Sequence, residues 1–398
     1  MTINYNRRIP SYETMSDNTG KRLTTLDMYK GLAIFGVLVT HIVLLQNGAD
    51  GTSEQTNPIV QFMFAGLVVF FLISGYLYKP GKSYMQNVKH RVVPLVIIYV
   101  VFSIAATVIA YLYLLCLGYD LSSYDLVGVI EKTLVGKGVF MEIGSPEFKA
   151  SNVILAPFDV NVQTYYLSLL FLGYLIFYAI VDRVIDSWKK TVVTIIILFA
   201  ITSVYLEVVR IQLPLLLQLA PLSAGFLLTG ALLSRYNFVQ FLDEGLRDKR
   251  FWIGLAVAII LSVVFLMLFP APPSFKHSDL GNYGYFSGLT FALTNLSCGI
   301  LQMFLISILV KVPVLSHAFI HMGKNSLYLY LYHMLVAKIL VAPFVQLTAE
   351  YYIPLPFLPA FAVTLVTIVI ILIAAHFYHK FKEERLSGKP LRPLATSV

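Results

Sequence analysis

Apolar stretches of about twenty residues recur along the chain, separated by polar connections. Each approaches the roughly 20 residues that a bilayer core requires. Ten membrane-spanning helices are therefore expected, at about 26–46, 59–78, 92–117, 164–181, 191–207, 214–233, 252–270, 285–310, 323–343 and 355–377. Lys and Arg cluster in alternate connections, with Arg7, Arg8, Lys21 and Arg22 before the first span and HKFKEERLSGKPLRP after the last. By the positive-inside rule both termini are then cytoplasmic. The fold class is an all-α polytopic membrane protein. Its expected parts are an N-terminal arm (1–25), a transmembrane unit (26–378) and a C-terminal tail (379–398). The loops 47–58, 118–160 and 270–284 fall on the outside, the second being long and acidic. Val92 is expected to open the third span, with Pro94 in its first turn, where proline is tolerated. Val314 to Met322 reads as a partial turn within an inner connection.

Composition agrees with the pattern. Of 398 residues, 58% are hydrophobic and 13% charged, against roughly 25% charged in soluble domains; mean hydropathy is +0.77. Residues 1–25 lack the apolar core of a cleavable signal, so the first span is expected to serve as the targeting segment. A net charge of +8 would suggest nucleic acid in a soluble protein. Here the positive-inside rule accounts for it, and no nucleic-acid partner is expected. Cys116 and Cys298 lie in apolar runs and form neither a disulfide framework nor a zinc pattern, so no metal is expected.

The first span, LDMYKGLAIFGVLVTHIVLLQ, departs from a plain apolar segment. Asp27, Lys30, Ile34, Leu38 and His41 fall on one helical stripe. Lys30 and His41 are separated by roughly 16 Å along it. Ionisable groups within a span are costly and usually functional. A neutral imidazole at His41 suits a general base taking a proton from a hydroxyl. Lys30 either pairs with Asp27, three residues earlier, or joins Lys79, Lys82, Lys89 and Arg91 in binding phosphate. Topology alone accounts for most of those other charges. Ser74, in FFLISGYL, reads first as a packing site and second as a nucleophile. In GKNSLYLYLYHML, Gly323, Ser326, Tyr330 and His333 share one face, as core groups or as part of a site.

These residues resemble the membrane acyltransferase 3 family, the integral-membrane acyl-CoA-dependent O-acyltransferases of bacterial sugars, over nearly the whole length. The resemblance is carried by Leu26-Asp27, Lys30-Gly31 and His41, then Phe70-Phe71 through Ser74-Gly75-Tyr76. Further carriers are Arg91 with Pro94, Tyr166-Leu167, and Gly323, Asn325-Ser326-Leu327, Tyr330-Leu331 and His333. The chain departs from the family in carrying Lys30 where Arg is usual, no second Arg before Arg91, and Tyr165 where Trp is common. Lys keeps the charge but loses the bidentate fork.

The resemblance implies transfer of an acyl group, acetyl above all, from cytoplasmic acyl-CoA to a hydroxyl of a glycan or lipid-linked sugar. Lys30, Lys89 and Arg91 would hold the CoA phosphates, and the pantetheine arm would rise along the first helix. His41 would act as base, with Ser74, Tyr166, Ser326, Tyr330 and His333 around the acceptor. It implies a bacterial cytoplasmic membrane, lipid contacts, and leaves a homo-oligomer open. A covalent route would use Ser74 or Tyr330. The rival class is a transporter or flippase of a polysaccharide precursor, for which inverted repeats would be usual; none is legible here. A silent scaffolding relative is the third reading.

Overall fold

A computed structural model of the chain describes residues 24–46, 58–136, 138–143, 145–153, 163–269, 287–350 and 357–386. The expected arm before residue 24, the loops 47–57 and 270–286 and the tail beyond 386 lie outside the described residues. Nine helices among the described residues are long and apolar enough to cross a membrane. The helices are α1 (Thr24–Gln46), α2 (Pro58–Phe64), α3 (Gly66–Tyr76), α4 (Tyr84–Arg91), α5 (Ile98–Cys116), α6 (Leu126–Val135), α7 (Pro146–Val153) and α8 (Tyr165–Val184). There follow α9 (Trp188–Val204), α10 (Ala220–Arg235), α11 (Phe238–Glu244), α12 (Lys249–Leu268), α13 (Ser287–Leu309), α14 (Pro313–Lys324), α15 (Ser326–Glu350) and α16 (Phe357–Leu386). The chain is an all-α polytopic membrane protein.

Burial sorts the spans. In α1, in α2–α3 and in the span ending with α10, 72% of the most apolar window is buried inside the protein; in α9 and α12 it is 28%. α1 shares the interior with α3, α10 and α13, because these helices carry small or polar residues that let them pack on several sides. Gly75 of α3 and Gly230 of α10 are reciprocal: a Cβ on the first would lie 1.9 Å from the Leu227 carbonyl oxygen, and on the second 2.1 Å from that of Leu72. Such backbone approach replaces the hydrophobic drive that lipid cannot supply.

Three boundaries differ from the sequence expectation. The third span opens at Tyr84, capped reciprocally by Ser83 and Gln86, and not at Val92. Pro94 sits in a π-helical stretch, Val92–Ile97, because a proline inside a helix removes an N–H and crowds the preceding carbonyl. Arg91 therefore stands at a break. The apolar run after Val312 is a full helix, α14, packed on α1; a Cβ on Gly323 would meet the Asp27 carbonyl oxygen at 1.7 Å. Between α9 and α10 the chain turns at Arg210, which is left-handed, and Pro214 does not open the next helix: Pro214–Leu219 is kinked, with Leu215 and Leu216 left-handed, and α10 begins at Ala220.

Candidate active site

Two polar groups occupy opposite ends of the first helix. The Lys30 end is built by the starts of α1 and α4–α5 and the ends of α3, α8 and α10. Lys30 Nζ lies 3.6 Å from Asp27, whose carboxylate is buried while the lysine stays partly open. The pairing read from the three-residue spacing is present. Arg91, at its helical break, donates from Nε to the Tyr178 hydroxyl (3.0 Å) and stacks over the Tyr174 ring at 4.4 Å. Tyr78 donates to Asp182 at 2.5 Å, and the Tyr174 hydroxyl reaches the Ser74 carbonyl at 3.5 Å. Ser74 thus belongs to the arginine group. Lys89 is exposed.

Nearby, Thr25 donates to Asp243 of α11 at 3.0 Å. Burial raises the Asp243 carboxyl above the usual range; the Thr25 bond and the Lys311 charge pull it partly back. Asp243 is a site residue the sequence reading missed, hidden in a charged connection that topology explains.

At the other end the rings of His41 (α1) and His333 (α15) stand 5.2 Å apart. His41 is half-buried and His333 fully buried. Tyr330 packs against His333 at 6.4 Å and against Tyr166 of α8 at 5.5 Å; Tyr166 packs in turn on Phe71 at 4.8 Å. The Tyr330 hydroxyl donates to the Gln163 carbonyl, while the Gln163 amide donates to Leu331 at 3.2 Å. His41, Tyr166, Tyr330 and His333 are therefore brought together. Ser326, half-buried, lies about 10 Å further down α15 than His333 and outside this group. Gln163 was missed because nothing at its own position distinguishes it from a loop amide.

Between the two ends the first helix is packed. Ile34, Val37 and Leu38, on the stripe joining Lys30 to His41, are 0–1% exposed and belong to the main core. Among the described residues, side chains of other helices cover those three positions. Besides α1, α8 reaches both ends, with Tyr174 and Tyr178 at one and Tyr166 at the other. A stripe of tyrosines at eight- and four-residue spacing was the available signal in the sequence.

Among the described residues no cluster of His, Cys, Asp and Glu could hold a metal ion. An interior imidazole pair at one end and a fixed guanidinium at the other can accept a proton and hold an anion, respectively. No curated protein and no solved structure matches the chain. A family model described as an acyltransferase domain matches residues 23–376. It spans both groups of residues and every helix between them, and the chain belongs to the acyltransferase 3 family of membrane acyltransferases.

Proposed function

We propose that the protein moves an acyl group, most simply acetyl, from cytoplasmic acyl-CoA to a hydroxyl of a glycan or lipid-linked sugar in the bacterial cell envelope. The observation that carries this reading is the His41–His333 pair, set beside Tyr330 and Tyr166 inside a membrane acyltransferase. Acyl transfer to a hydroxyl needs a proton acceptor, and interior imidazoles supply one. Tyr330 and Tyr166 offer flat apolar faces against which a sugar ring can stack.

Arg91 suits the donor's phosphates. Its Nε is held by Tyr178 and its plane by Tyr174, and among the described residues its terminal nitrogens make no hydrogen bond. A pre-oriented guanidinium loses little entropy on taking a phosphate. The charge of Lys30 is offset by Asp27, so it contributes less, and exposed Lys89 adds long-range attraction. Among the described residues neither Ser74 nor Ser326 makes a side-chain hydrogen bond to a base, which favours direct transfer over a covalent seryl intermediate.

The test is acetyl transfer by the purified protein in nanodiscs, with acetyl-CoA and a cell-envelope glycan extract, read by mass spectrometry. The double variant His41→Ala/His333→Asn should lose about 10²–10⁴-fold of the activity. Substrate flux across liposomes without CoA, and no transfer, would instead establish the transporter reading.

A further inference from the structure

We propose that His333 is a positioning residue for the histidine of the first helix: its Nε2 atom accepts a hydrogen bond from the His41 ring when that ring takes the proton of the acceptor hydroxyl. The assignment rests on the acyl-transfer reading above, with His41 as the base. His333 Nδ1 lies 3.1 Å from the Leu329 carbonyl oxygen and 2.8 Å from that of Tyr330. Both partners can only accept, so Nδ1 carries the hydrogen, an assignment made from the bonding pattern. In a neutral ring with Nδ1–H, the lone pair is on Nε2.

That atom is buried and has no hydrogen-bond partner among the described residues. Buried polar atoms are ordinarily bonded, so this one is set for a donor that forms during the reaction. The two nitrogens of an imidazole stand on nearly opposite sides of the ring. With Nδ1 held by its own helix, Nε2 is turned away from α15. Tyr330 and His41 have rings adjoining His333. The Tyr330 hydroxyl already donates to the Gln163 carbonyl, so of the two His41 is the donor. The separation fits such a bond. A ring nitrogen lies about 1.1 Å from its ring centre, so an N–H···N bond of about 3.0 Å sets two imidazole centres roughly 5.2 Å apart. The His41 and His333 centroids are 5.2 Å apart, with the planes tilted by 40°. No hydrogen bond reaches Nε2 in this conformation, and a turn of the His41 ring in place makes one.

In the reaction, the acceptor O–H gives its proton to one His41 nitrogen as the oxygen bonds to the carbonyl carbon of the thioester. The His41 ring is then charged, with a hydrogen on both nitrogens. Its far N–H donates to His333 Nε2, which stabilises the charge and fixes the ring, while His333 stays neutral. Collapse breaks the C–S bond. The sulfur leaves with the bonding electron pair and takes the proton from His41, so an ester and a thiol form and both rings end neutral. A neutral acceptor suits this place, because a carboxylate would carry a full charge into the apolar interior at high cost.

Two substitutions at one position test this. In His333→Asn the short amide can still donate to the carbonyl four residues back, as Asn295 and Asn325 do to Phe291 and His321, but it supplies no acceptor where Nε2 stood. In His333→Gln the longer amide carries its oxygen to about that place. His333→Asn should lower kcat about 10–100-fold with the KM for acetyl-CoA unchanged, since a hydrogen bond to a charged ring is lost. His333→Gln should recover most of that loss, which a purely structural role would not allow. If His333→Asn keeps half the activity, or if His333→Gln is no better than His333→Asn, the assignment is overturned while the acyl-transfer reading stands. Nitrogen NMR of the ¹⁵N-histidine wild-type protein decides without any variant. Among the described residues, His41 and His333 are the only two histidine rings in contact. At the pH where the pair has taken up one proton, a ¹⁵N–¹⁵N coupling across the N–H···N bond should appear between two histidines. Its absence at every pH, with acetyl transfer intact, refutes the positioning role alone; a wild-type protein that transfers no acyl group refutes the reading beneath it.

Discussion

The two ends of the first helix solve opposite problems. At the Lys30 end the groups are charged, and the buried or half-buried ones have neighbours: Asp27 for Lys30, the tyrosines for Arg91, Thr25 for Asp243. At the His41 end the groups are neutral rings, and one nitrogen is left without a described partner. Full charges cannot be left unmet at the edge of an apolar medium, whereas a neutral imidazole can be kept unsatisfied at a smaller cost. The difference teaches where reactivity can be stored. The charged end suits holding a ligand, and the neutral end suits reacting with it.

Predictions follow from that contrast. Removing both imidazoles should produce the largest effect, the 10²–10⁴-fold fall in kcat given above, with the KM for acetyl-CoA unchanged. A parallel rise in KM would break the division between the ends. Arg91→Leu should do the reverse. Losing charged hydrogen bonds worth about 1.5–3 kcal/mol raises the KM for acetyl-CoA about ten- to a hundredfold, with kcat nearly kept. Tyr178→Phe, which removes only the Nε partner, should raise it less, and Lys89→Ala by under about fivefold, as suits an exposed charge.

Gly323→Ala tests whether the Lys30 end depends on close helix packing. Its new methyl would overlap the Asp27 carbonyl, so melting in detergent should show about 1–3 kcal/mol of destabilisation. Gly299→Ala, whose Cβ would sit 3.4 Å from Val69, serves as the near-neutral control.

The smallest effect is expected at Asp243. Burial raises its folded carboxyl above the unfolded value, so the folded state binds the proton more tightly. Stability from this group is complete below the unfolded value, near pH 4, and falls as pH rises toward the folded one. Asp243→Asn should therefore raise the neutral-pH melting temperature slightly and flatten its pH dependence above pH ~4. An unchanged profile would mean that Asp243 does not feel its burial.

The residues show why part of the site was legible in advance. Lys30 and Asp27 share a helical turn, so their pairing follows from local geometry. Tyr330 and His333 likewise share a face of α15. What lies between the ends was not legible, because a stripe on one helix says nothing about what packs against it; Ile34 and Leu38 are covered by other helices. Pro94 announced a helix start and marked a π-helical break, since a capping box at Ser83 had already begun the helix upstream.

By itself the sequence determined the membrane class, the approximate spans and the identity of the chemically able residues, since length, hydropathy and helical period are local properties. Only the tertiary structure decided that α14 is a helix on α1, that Arg91 rests on Tyr174, and that His333 meets His41. These contacts join segments far apart in the chain. In lipid, which helix packs on which is set by close fit between glycines, carbonyls and rings, and that fit has no signature in any one segment.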